Sequence, residues 1–110
     1  MEKKIYLLLL ALDQRNARLG RAVLATIKAR IDPAAAPAFL HKQGAGIFMR
    51  SNLSSFEVWQ QVWPTDMTEA ENESLRDTVI LQLGDDHAGL QQAKPIAWLI
   101  KHTVKAQQAG

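Results

Sequence analysis

An uninterrupted run of eight apolar residues, Ile5-Tyr6-Leu7-Leu8-Leu9-Leu10-Ala11-Leu12, limits the fold of this chain more than any other feature. A half-buried strand alternates apolar and polar positions. This run does not, so a strand made from it must be covered on both faces and belongs in the middle of a sheet. The leucines alone would suit a helix, but the run is short and Asp13 with Asn16 offers a turn and helix start directly after it. Met1-Glu2-Lys3-Lys4 ahead of the run imitates the basic start of a secretory signal. Glu2 within that start, the stop at Asp13 and the lack of a small-x-small cleavage site argue instead for a buried strand in a cytoplasmic protein. No stretch approaches the roughly 18 apolar residues of a membrane helix, so a membrane is not an expected partner.

After this strand the period changes. Leu19, Val23, Ile27 and Ile31 recur every four residues, which predicts a helix over 15–31 that Asp32-Pro33 ends. Two short β-type runs, 38–42 and 47–51, flank Gln43-Gly44-Ala45-Gly46, and two glycines between apolar runs predict a hairpin turn there. Ser54-Ser55-Phe56-Glu57 has the capping-box spacing, so a second helix starts at this point, with Phe56, Trp59, Val62 and Trp63 on one face and Pro64 closing it. Thr68-Glu69-Ala70-Glu71 repeats the pattern as a short acidic helix or a solvated loop. Thr78 to Leu83 reads as another interior strand. Lys94-Pro95 introduces a terminal helix over 96–104, although the alternation of Ile96, Trp98, Ile100, His102 and Val104 also admits a strand.

The expected fold is therefore α+β, a ferredoxin-like β-α-β-β-α-β sandwich with a C-terminal helical extension, occupying residues 1–110 as a single domain. Helices of that arrangement cover one sheet face only. An apolar first strand leaves the second face needing a cover, and a partner sheet in a homodimer is the simplest candidate.

Composition removes whole classes of function. The 110 residues are 47% hydrophobic and contain no cysteine, which excludes disulfide scaffolds, zinc ribbons, cysteine proteases and thioredoxin-type redox chemistry. The net charge of +2 hides an asymmetry, because residues 1–50 carry nine basic and three acidic side chains and residues 51–110 carry four and eight. An anionic partner for the first half, guided self-association and internal neutralisation are all compatible with that dipole.

Arg15, Arg18, Arg21, Lys28 and Arg30 put five positive charges on the first helix with no acid among them. Arg15, Arg18, Arg21 and Lys28 are the candidate nucleic-acid contacts, the bland reading being a solvated helix face. The aromatic companions of single-strand binding are not beside them in sequence. The histidines His41, His87 and His102 share no ligand spacing, and Asp85-Asp86-His87 is as readily turn chemistry as a metal site. Asp13, ending the first strand, is a candidate Mg²⁺ ligand that a two-fold axis would double, and more simply a helix cap or turn residue. Its nearest acidic neighbours in sequence, Glu2 and Asp32, lie at remote ends of their elements. Serines 51, 54 and 55 lack a nucleophile elbow and Gly44-Ala45-Gly46 lacks the helix of a phosphate cradle, so no catalytic residue and no cofactor is assigned.

The apolar strand Ile5 to Asp13, the run Gly46-Ile47-Phe48-Met49-Arg50-Ser51 leading into Ser54 to Trp63, the strand Thr78 to Leu83 and the late Pro95-Ile96-Ala97-Trp98 loosely span most of the chain. In this order the chain resembles the small ferredoxin-fold proteins related to the CRISPR-associated spacer-acquisition subunit, including the SinR-like relatives. The resemblance implies a dimer and, at Asp13 alone, the aspartate implicated in metal-dependent nuclease activity in some members. The Ala-Pro connector 34–37, the acidic segment around Glu69 to Glu73 and the longer C-terminal tail depart from the pattern. Three functions follow as expectations: a bacterial, dimeric, non-enzymatic interaction module; a metal-dependent nuclease of the resembled kind; and an immunity or antitoxin protein whose acidic half masks a basic partner.

Overall fold

The computed structural model describes residues 3–84. The terminal segment 95–105, whether helix or strand, and the Asp85-Asp86-His87 cluster lie outside the described residues, as does His102. The elements run β1 (Lys4–Ala11), α1 (Leu19–Arg30), β2 (Ala36–His41), β3 (Gly44–Ser51), α2 (Ser55–Gln61), α3 (Glu69–Glu73), a 3-10 turn (Ser74–Asp77) and β4 (Thr78–Leu83). The protein is α+β, with one four-stranded antiparallel sheet in the order β2-β3-β1-β4. The apolar run thus sits where its composition demands, between two neighbours.

Strand alternation divides β1 between two environments. Tyr6, Leu8 and Leu10 oppose Met49, Ile47 and Ala45 of β3 and face the helices. Leu19, Val23 and Ile27 of α1 join Val58 and Val62 from α2 in the same core. The Tyr6 hydroxyl donates to the Leu53 carbonyl at 2.6 Å, so its polar end is satisfied at the rim. Ile5, Leu7 and Leu9 point the other way, opposite Leu83, Leu81 and Val79 of β4. No described helix packs on this second face; its own small cluster is built on Ile5 and Phe48.

Several boundaries depart from the sequence expectations for identifiable reasons. The helix predicted from residue 15 begins at Leu19, because Asp13 and Asn16 organise a turn first: the Asp13 amide donates to Asn16 Oδ1 at 2.6 Å and the Arg15 amide to Asp13 Oδ1 at 2.8 Å. Gly44 and Gly46 are not the hairpin turn. They lie inside β3, the reversal falling at Lys42-Gln43, and neither has positive φ. Gly46 is there for close approach, since a Cβ on it would come within 2.6 Å of Phe39 Cε1. Of the predicted face Val62 is buried and Trp63 packs against the core, with Val58 joining them, whereas Phe56 is 68% exposed and lies outside it. Trp59 and Trp63 pair edge to face with centroids 5.1 Å apart. Among the described residues β4 is an edge strand, not an interior one.

Both capping boxes form. Ser54 Oγ accepts from the Glu57 amide while Glu57 Oε1 accepts from that of Ser54, and Thr68 with Glu71 repeats the exchange. Asp32 closes the α1–β2 connection: its buried carboxylate accepts from the amides of Ala34 at 2.9 Å and Arg50 at 2.8 Å, tying the end of α1 to β3.

Candidate functional site

The four cations singled out in the sequence do not form one ridge of equivalent charges. Arg15 reaches back to Asp13, Nη2 to Oδ2 at 3.4 Å, both side chains mostly in solvent. Arg18 is the most committed. Its Nη2 donates to Glu71 Oε1 at 2.8 Å and to the Asp66 carbonyl at 3.0 Å. Lys28 lies in the last turn of α1, where a cation suits the helix dipole. Arg21 is exposed and, with Arg18, lines a cavity of about 420 Å³ between the start of α1 and the β2–β3 turn.

The Arg18–Glu71 contact carries part of the charge asymmetry inward, joining the basic first half to the acidic second. Glu71 is 1% exposed. Burial pushes its carboxyl up, and the Thr68 amide together with the hydrogen bond and charge of Arg18 outweigh that, leaving it below the ordinary carboxylate range. Beside it, Asn16 Nδ2 donates to Ser74 Oγ and, at 3.3 Å, to the Ala11 carbonyl, so the turn after β1 is pinned to the turn before β4.

Asp13 opens onto a second crevice of about 230 Å³. The fold supplies acidic company that chain order conceals, because Glu73 and Asp77 line the same crevice, interleaved with Arg15 and Arg76. Among the described residues no group of three or more His, Cys, Asp or Glu is arranged to hold a metal ion. The Arg15 amide, its guanidinium and the neighbouring backbone hold the Asp13 carboxyl below its usual value, the role of a turn residue.

Sequence reasoning missed the neighbours of Arg21. Lys42 and His41, at the end of β2, line its cavity, whose floor is Leu12, Ala17 and Leu40. His41 also stacks on Phe39, ring centroids 5.4 Å apart and planes inclined by 24°. The i, i+2 spacing of Phe39 and His41 in a strand is the available signal. The proximity of His41 to Arg21 is tertiary and invisible in the sequence. Comparison with known proteins found no matching family model, no matching curated protein and no matching solved structure.

Proposed function

We propose that this protein is a non-enzymatic interaction module of ferredoxin-like topology that works as a homodimer joined through the sheet face on which no described helix packs. The antiparallel order β2-β3-β1-β4, with β1 and β3 central and helical crossovers after β1 and β3, supports the ferredoxin-like assignment. The observation that carries the dimer is the composition of that face. Ile5, Leu7 and Leu9 stand opposite Leu83, Leu81 and Val79 in three apolar pairs, Ile5 already buried and Val79 43% and Leu81 44% exposed, with Arg50 of β3 ending the Ile5 row.

A two-fold interface sets each patch against its own copy, so a charged patch repels itself, whereas the Leu7–Leu81 and Leu9–Val79 pairs carry no charge to do so. Fully covering a large aliphatic side chain is worth about 1.5–3 kcal/mol, and Val79 and Leu81, each under half exposed, supply part of that on each copy. Light scattering at low micromolar concentration is expected to return twice the chain mass. Leu81→Glu, which sets carboxylates against one another across the axis, is expected to return the single chain mass with the circular dichroism of a folded domain. A wild-type monomer under these conditions overturns the proposal.

A further inference from the structure

We infer that the β2 edge of the sheet, together with the adjoining cleft, binds single-stranded nucleic acid, with Phe39 and His41 as the stacking surface and Arg21 and Lys42 as phosphate contacts. The ring of Phe39 lies over Gly46, whose missing side chain leaves room for it, and the residue is still 42% exposed. His41 extends that surface, its ring 5.4 Å from Phe39 and inclined by only 24°. His41 also belongs to the wall of the cleft that holds Arg21 and Lys42, and among the described residues no acidic side chain lines that cleft. Arg18, at the same cleft, is spent on Glu71. Binding without sequence preference needs a π surface for an unstacked base and cations for nearby phosphates. The β2 edge carries Phe39 on the face away from α1 and the Arg21–Lys42 cleft on the α1 side, with His41 belonging to both, so a strand would pass around this edge.

The alternatives fit less of what is present. A duplex keeps its bases stacked and leaves the rings unused. An acidic peptide answers the cations and leaves the rings equally unused. Phe39 and His41 share a sheet face with the rows proposed for self-association, but they stand at its β2 margin whereas Val79 and Leu81 stand at the β4 margin, so the two surfaces adjoin without using the same edge.

The test is fluorescence anisotropy of labelled oligouridylate and oligothymidylate of about twelve nucleotides, titrated with the full chain at about 50 mM salt. Saturable binding of either strand is expected, the tighter one naming the sugar. Two phosphate contacts predict that log K falls by about 1.4 per log unit of salt. Arg21→Gln and Lys42→Gln are each expected to remove about half of that slope. Phe39→Leu keeps an apolar side chain over Gly46 but loses the π face, so it is expected to weaken binding about fivefold or more, with Phe39→Tyr restoring it. Circular dichroism of each variant separates a binding defect from misfolding. The inference fails if neither strand binds saturably, if folded Phe39→Leu binds as well as wild type, or if polyglutamate displaces the strand at equal concentration.

Discussion

Removing the charge of Glu71 while keeping its shape tests how the acidic second half is fastened to α1. Glu71 Oε1 accepts from Arg18 Nη2 and from the Thr68 amide, each at 2.8 Å. In Glu71→Gln the amide oxygen still accepts both bonds, but each changes from charge-assisted to neutral, a loss of about 1 kcal/mol per bond. Two terms reduce that total. The Arg18 side chain is 51% exposed, so water screens its share, and a neutral amide costs less to bury than a carboxylate. The expected net destabilisation at pH 7 is about 1 kcal/mol. Glu71→Ala, which strands the Thr68 amide and opens a gap, is expected to cost about 2–3 kcal/mol.

The pH dependence separates this account from a packing effect. Because the folded-state carboxyl is held low, the stability it contributes is fully present above its unfolded value near 4.5 and is lost as pH falls through the folded value. Urea denaturation at one fixed protein concentration, from pH 7 downward, should therefore show the wild type converging on Glu71→Gln in acid. A Glu71→Gln stability within about 0.3 kcal/mol of wild type at pH 7 would refute the charge-assisted account. So would a deficit that persists unchanged below both protonation steps.

Gly46→Ala forces a methyl group into the space of the Phe39 ring, 2.6 Å from Cε1, and is expected to cost about 1–3 kcal/mol in urea denaturation and to weaken oligonucleotide binding at the same time. Asp13→Ala, assayed beside wild type for RNA and DNA cleavage with Mg²⁺ or Mn²⁺, is expected to make no difference to hydrolysis. Cleavage abolished by that substitution in a folded dimer would reinstate the nuclease reading.

What was legible in the sequence is what short-range physics decides. The apolar run of β1 could not sit at a sheet edge, the spacing of Leu19, Val23 and Ile27 could only face a core, and Ser54 with Glu57 announced a helix start. The errors come from residue types with more than one use. Glycines between apolar runs usually mean a turn, but Gly44 and Gly46 carry ordinary strand conformations and are needed for the ring that lies above one of them. Phe56 of α2 shares the helical spacing of Val62 and Trp63, yet Val58 and Val62 fill the core and Phe56 is left exposed. Thr78 to Leu83 is apolar enough for a sheet interior, yet strand composition does not say whether a second neighbour exists.

The candidate site was harder to read because its parts come from different elements. A count of charges along α1 treats Arg18 and Arg21 alike, although they differ by only three positions in the same helix. The fold separates them: α3 brings a buried carboxylate to Arg18, while the β2–β3 turn brings Lys42 and His41 to the cleft that Arg21 lines. Positive charge that is already paired stabilises the fold and adds little to the field an incoming anion meets, whereas cations grouped without an acid do the reverse. The distinction between a solvated helix face and a binding surface therefore lies in the partners that the second half of the chain supplies. Phe39 makes the same point for the ring, since the space it occupies on the sheet is left by a glycine on the neighbouring strand.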